Sequence, residues 1–347
     1  MAAPSADEFT TMPNVTMKTA SYSGMLDVTA NKSLHYVFVE SMRSPIDDPV
    51  IIWFNGGPGC SSLLGFFQEN GPWIIDDGES YIKENPYPWN VNASVLYLES
   101  PAGVGYSIAN NTEDYTQNDM SQSQDAITAL IAWYNKFPEF IANELYVSGE
   151  SYGGIYVPYL SWQIYQNNLQ AKFDASLINI NLKGFMVGNG ATNWEYDVSP
   201  VFPEVLYQFN MIPESLWNEY NDNHCVGYFD GTFTGDDKAK CETLFGNMQD
   251  FTDGLNWYDL YRHVYTDSSK QDRKGMSMLN GKEMHYKKGM TMREYTPWLK
   301  HFPSSADNVM NDYLSDYVNN ETLRTALHIP AFAPSWEQCS SKIDYHL

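Results

Sequence analysis

The chain has 347 residues, 15% of them aromatic and 18% charged, and its 20 Lys and Arg face 43 Asp and Glu for a formal net charge of -23. Such a composition belongs to a folded chain with a sizeable core, and its length suits one large α/β domain or two smaller ones. The negative charge repels a phosphate backbone, which excludes nucleic acid as a partner, and no apolar run approaches the about 18 to 20 residues that span a bilayer.

In chain order, the N-terminal "MAAPSADEFTTMPNV" carries neither a basic nor an apolar leader region, so no secretory signal is read in it. Apolar runs rich in β-branched and aromatic residues then follow at 34–39 ("LHYVFV"), 50–54 ("VIIWF"), 94–99 ("SVLYLE"), 144–149 ("ELYVSG") and 182–190 ("LKGFMVGNG"). Near-continuous runs of this kind predict strands buried on both faces, as in a mostly parallel sheet. Between the last three lie helical stretches. Residues 120–137 space Ile127, Leu130, Ile131 and Tyr134 three and four apart, and residues 153–169 do the same with Tyr156, Leu160 and Ile164. Strands alternating with helices predict an α/β fold for 1–192.

From 193 to 311 the chain turns rich in Asp, Asn, Tyr and Met, which reads as an inserted, mainly helical cap. Within it, residues 270–293 hold seven of the 20 Lys and Arg, interleaved with methionines, and are expected to form an exposed loop open to trypsin-like cleavage. Residues 312–347 return to the core, helical over "DYLSDYVNNETLRTALHIP" and ending near Pro330. The four cysteines, at 60, 225, 241 and 339, have no CxxC spacing and no paired histidines, so two disulfides are expected and a metal site is not. Sequence alone leaves three connectivities open. Glycosylation sequons occur at Asn14, Asn31, Asn92, Asn110 and Asn320.

The chemistry gathers around Gly149-Glu150-Ser151-Tyr152-Gly153, a GxSxG pattern with a strand-like run before it and a helical one after it. That is the setting of a nucleophile elbow, where small flanking residues let the chain fold back and expose the serine hydroxyl. A serine nucleophile also needs two N–H groups aimed at the developing oxyanion. The amide of Tyr152 supplies one, and the glycine-rich "WFNGGPGCSS", following the strand at 50–54, offers Gly57 as the other.

The stretches "WFNGGPGCSS", "NPYPWNVNASVLYLESPAGVGYS" and "GESYGGIYVP" are similar to the signature blocks of the serine carboxypeptidase family of α/β-hydrolases. The likeness continues through "ALHIP" at 326–330 to "WEQCSS" at 336–341 and covers nearly the whole chain. It implies an α/β-hydrolase fold and removal of the C-terminal residue of a peptide or protein through an acyl-enzyme on Ser151, with no cofactor. It makes Trp53, Asn55, Gly56, Glu69 and Glu150 the site of the substrate's terminal carboxylate. Two glutamates meeting a carboxylate require at least one to be protonated, hence an acidic optimum. It also implies the pairs Cys60–Cys339 and Cys225–Cys241, and with the sequons it points to the secretory pathway and a lysosomal, vacuolar or extracellular destination. Monomer and homodimer both stay open.

Two rivals share the resemblance: an acyltransferase that resolves the acyl-enzyme with an alcohol, and an inactive homologue that keeps the pocket for binding or protection. The triad order in this fold is Ser, then Asp or Glu, then His. The histidines after Ser151, at 224, 263, 285, 301, 328 and 346, do not stand after a strand-like run. The family's strand leading to Gly-Asp and its later Gly-His turn follow "WEQCSS". The expectation is therefore a chain that lacks the catalytic Asp and His and the last strands of its core.

Overall fold

Among the described residues seven strands share one sheet, and their order sets where a site can lie. The computed structural model describes residues 5–75, 80–193, 196–197, 201–226, 233, 235–252 and 313–346. They belong to two compact units, Met1–Gly190 with Tyr313–Leu347, and Ala191–Asp312. In the first unit the strands are β1 (Ser21–Asp27), β2 (Lys32–Val39), β3 (Val50–Phe54), β4 (Ser94–Leu98) and the short β5 (Ile108–Ala109). After β6 (Thr116–Asn118), which stands apart from this sheet, come β7 (Leu145–Glu150) and β8 (Leu182–Gly188). Across the sheet the order is β8-β7-β3-β4-β2-β1, with β5 beside β2. The four strands from β8 to β4 run parallel, and β4, β2 and β1 pair antiparallel.

The expected runs at 34–39, 50–54, 94–99 and 144–149 all fall in strands with buried faces, and every residue of β4 is buried. β1 has no counterpart in the sequence reading, because the serines and glycine of "SYSGMLD" interrupt its apolar pattern. At the other end the expectation of burial fails: β8 has its Phe185 55% and its Met186 40% exposed. β8 pairs only with β7 among the described residues.

Helix α1 (Asp119–Lys136) starts at a capping box in which the Asn118 side chain accepts from the Ser121 amide while the Ser121 hydroxyl accepts from the Asn118 amide. That pairing satisfies two of the four amides a helix start leaves open. Its buried face carries Ile127, Leu130, Trp133 and Tyr134. Ile131, expected on that face, is only half-buried, and Trp133 packs edge-on against Phe38 of β2 instead, ring centres 4.9 Å apart. Helix α2 (Gly153–Ala171) buries Tyr156, Leu160 and Ile164, as the spacing predicts. Burying side chains of this size is worth about 1.5–3 kcal/mol each, which ties both helices to the sheet.

In the second unit, helices α3 (Val201–Gln208), α4 (Glu214–Asp222) and α5 (Lys238–Asp250) pack around Leu206, Tyr220, Leu244, Phe245 and Met248, and Cys225 is bonded to Cys241. The basic stretch 270–293 lies outside the described residues.

The return segment belongs to the first unit. Its expected single helical run is two short helices, α6 (Tyr313–Val318) and α7 (Glu321–Ala326), because Asn320 adopts an extended conformation and caps α7 through its side chain on the Thr322 amide. Beyond them Cys339 is bonded to Cys60, the Ser61 amide donates to Gln338 and the Ser340 amide to Gly59. A last strand, β9 (Asp344–His346), pairs in parallel with β6. The asparagines of all five sequons are exposed.

Candidate active site

The site lies at the carboxyl ends of the parallel strands β3 and β7, where an α/β sheet opens to a ligand. β7 runs into Ser151, whose φ of 56° is a left-handed conformation rare for a residue with a side chain, and α2 begins two residues later. This is the sharp strand-to-helix turn that lifts a hydroxyl out of the backbone. The Ser151 amide donates to the Gly188 carbonyl of β8 at 3.1 Å, and the Ser151 carbonyl accepts from Gly154 at 2.9 Å, so both sides of the turn are held.

The loop after β3 presses against this turn. A Cβ on Gly56 would stand 2.4 Å from the Tyr152 amide nitrogen and 2.7 Å from the Ser151 Cβ, so only glycine permits the approach. Gly57, at φ +118°, likewise has a backbone that side chains rarely adopt, and its N–H has no hydrogen-bond partner among the described residues. The Tyr152 amide and the Gly57 loop therefore border the same corner beside Ser151. Tyr152 itself is buried, its hydroxyl donating to Asp119 at 2.8 Å.

The five residues expected to hold a carboxylate also meet. The buried Asn55 is the hub: its Oδ1 accepts from Trp53 Nε1 at 2.8 Å and from the Gly65 amide at 2.9 Å, which fixes the orientation of its amide. Its Nδ2 donates to Glu69 at 2.8 Å and to Glu150 at 3.0 Å. Glu150 directly precedes Ser151, so the pair of acids sits one residue from the hydroxyl. Glu69 remains open to solvent and Glu150 is half-buried. Desolvation nevertheless raises both carboxyls above the ordinary range, and for Glu69 the charge of Glu150 adds to the rise, while the Asn55 amide opposes it in each. Two acids bridged by one amide hold a proton more readily than either alone, and a protonated member becomes a donor toward an incoming carboxylate.

No described histidine hydrogen-bonds Ser151. His35 is fully buried between Glu99 and Ser23, His328 faces the Ser23 carbonyl, and His346 pairs with Asp344. His224 belongs to the second unit, and His263, His285 and His301 lie outside the described residues. Sequence reading overlooked His35 because it precedes Ser151 and lies on a strand. It also overlooked Asp119 and Tyr345, which converge on Tyr152 from 226 positions apart. Among the described residues no group of His, Cys, Asp and Glu is arranged to hold a metal ion, and no described helix is long and apolar enough to cross a membrane.

A family model described as serine carboxypeptidase matches residues 12–347. The chain belongs to the serine carboxypeptidase family. It is 34% identical to the serine carboxypeptidase ctsa-4.1 of Caenorhabditis elegans, covering 99% of this chain and 70% of that relative. It is 33% identical to the lysosomal protective protein of Mus musculus, over 98% of this chain and 71% of the other. Among solved structures, Kex1, a prohormone-processing carboxypeptidase from Saccharomyces cerevisiae, superposes with a TM-score of 0.69 at 18% identity, covering 99% of this chain and 73% of its own. The fold is thus that of the α/β-hydrolases, with the mostly parallel central sheet described above, and the family is one of hydrolases acting on peptides.

Proposed function

We propose that the chain carries out the family's exopeptidase chemistry at Ser151. The observation that carries the reading is the placement of Asn55, Glu69 and Glu150 as one hydrogen-bonded cluster that ends one residue before a serine held at φ 56°. In this reading the terminal carboxylate of a peptide docks on Asn55, Gly56 and the acids, with Trp53 holding Asn55 in place. The last peptide carbonyl then lies against Ser151. The hydroxyl oxygen attacks that carbon, the oxyanion is met by the amides of Gly57 and Tyr152, the terminal amino acid departs with a proton, and water releases the acyl group. Among the described residues no histidine hydrogen-bonds Ser151, so no residue is assigned as the base. The two disulfides and the likeness to a lysosomal protective protein support an oxidising, secretory-pathway destination, and acids that hold their proton suit an acidic compartment.

The test is a comparison of N-blocked peptides as free acids and as C-terminal amides. Asn55→Ala removes the hub of the cluster and is expected to raise KM for the free acid about ten- to hundredfold while leaving the amide nearly unchanged. Equal losses on both substrates would remove the cluster from carboxylate recognition. Ser151→Ala, which should abolish turnover of both, fixes the nucleophile independently.

A further inference from the structure

Asp119 opens α1, and nothing in the carboxylate cluster or the elbow requires it. Yet its Oδ1 accepts two phenol hydroxyls, from Tyr152 at 2.8 Å and from Tyr345 of β9 at 2.9 Å. The three tyrosines at this point are packed edge to face: Tyr152 on Tyr156 at 5.1 Å, Tyr152 on Tyr345 at 5.7 Å, and Tyr156 near Tyr345 at 6.3 Å. All three are buried, and the Tyr156 hydroxyl accepts from the Gly59 amide at 3.1 Å. One aromatic cluster thus touches both halves of the corner beside Ser151: the backbone of Tyr152 on one side, and the glycine loop through Gly59 on the other.

From this convergence we infer that Asp119 is a positioning residue for the oxyanion hole, acting through the Tyr152 side chain on the Tyr152 amide, with Tyr345 as its second ligand. The inference rests on the reading of Ser151 as nucleophile. The peptide plane of the Tyr152 amide is held on its carbonyl side by Gly154, which donates to Ser151 at 2.9 Å, and the Tyr152 carbonyl accepts from Ile155 as α2 begins. A side chain clamped at its far end by a carboxylate adds a restraint from the opposite end of the residue. Burial, and after it the charge of Asp119 in the case of Tyr152, holds the phenols of Tyr152 and Tyr345 well above their ordinary range, so both stay protonated and keep donating. The geometry also explains why the clamp includes Tyr345. The return segment is bonded to the glycine loop through Cys339 and Cys60, and β9 pairs with β6 immediately before Asp119, so the same strand that closes on the loop delivers the second phenol.

The experiment follows Ser151 labelling by a fluorophosphonate probe, whose P=O oxygen occupies the oxyanion position. Intact-mass measurement gives both the second-order rate and the final labelled fraction. The rate reports the hole, the final fraction counts folded protein, and a purely structural defect moves only the second. Asp119→Ala is expected to label at least about tenfold more slowly with the same final fraction, since one lost oxyanion donor costs 10²–10³-fold and this variant misaligns a donor without deleting it. Asp119→Asn retains an Oδ1 that can accept both phenols and should return the rate to within about threefold of the parent, although it loses the charge at the helix start just as the alanine does. Tyr345→Phe, which keeps the ring and removes one hydroxyl, is expected to slow labelling by about threefold. An Asp119→Ala rate within twofold of the parent overturns the assignment and leaves the nucleophile standing. An asparagine as slow as the alanine also overturns it, since charge and not the two hydrogen bonds would then be responsible. If Asp119→Ala does not fold, an unchanged Tyr345→Phe rate overturns the clamp instead. A parent protein that labels no faster than Ser151→Ala removes the nucleophile, and the clamp with it.

Discussion

Strands β4 and β8 look alike as sequence and differ as structure. "SVLYL" and "LKGFMVG" are both apolar runs, yet all of β4 is buried while β8 leaves Phe185 and Met186 exposed. β4 has a strand on each side, and its Val95 and Tyr97 sit in the hydrophobic core. β8 has a partner on one side only among the described residues. An apolar run states what a strand is able to bury, and the neighbours decide what it does bury. The same contrast separates the two acids of the site from the core around them: Glu69 is open to solvent at the end of the helical turn Gly65–Glu69, whose first amide donates to the buried Asn55.

The contrast is sharpest when the well-covered side is cut. Phe38→Ala removes a fully buried ring that meets Trp133, Phe137 and Phe140, and should cost about 3–5 kcal/mol in urea unfolding. Next comes the close approach at the site. Gly56→Ala forces the loop after β3 away from the Tyr152 amide and is expected to cost about 1–3 kcal/mol while also slowing Ser151 labelling, because the displaced backbone is the one that borders the serine.

A smaller effect comes from the acids. Their folded-state pKa values are raised, so the stability they contribute is fully present below the ordinary value of 4.5 and is lost as the pH rises through the raised values. The melting temperature should therefore fall as pH climbs above that value, and Glu69→Gln should flatten the decline. A decline of the same slope in the variant would place its origin in other groups. Smallest of all, Phe185→Ser on the exposed side of β8 should change stability by no more than about 0.5 kcal/mol and improve solubility, read by unfolding and by light scattering. A loss as large as that of Phe38→Ala would mean that β8 is covered in solution.

Much of the sheet was legible because the signal is local. Five apolar runs became five strands, and the strand–turn–helix context of Ser151 was written in consecutive residues. β1 was lost because its glycine and serines break the pattern that periodicity detects, and the break after Val318 went unseen because Asn320 ends one helix by capping another. The site divides in the same way. Gly56 and Gly57 announce themselves as glycines beside a strand end. Glu69 and Glu150 were joined only through the family resemblance, because nothing in either neighbourhood marks two acids that meet on one amide. Asp119 and Tyr345 had no signal at all. An aspartate at a helix start is common for reasons of helix polarity, and its two phenol ligands become visible only when β9 is folded beside β6.

The bond between Cys60 and Cys339 spans 279 positions, whereas Cys225 and Cys241 are 16 apart. At ordinary rates of synthesis, residue 60 waits on the order of tens of seconds before residue 339 exists. Through that interval the glycine loop carries an unpaired thiol while a competing pair appears and can close on itself first, its shorter span giving it the faster encounter. The loop that borders Ser151 is thus among the last parts of the chain to be secured. A newly made molecule exposed to oxidant too early risks joining Cys60 to Cys225 or Cys241, so the yield of active protein should depend on disulfide isomerisation more than on the speed of oxidation.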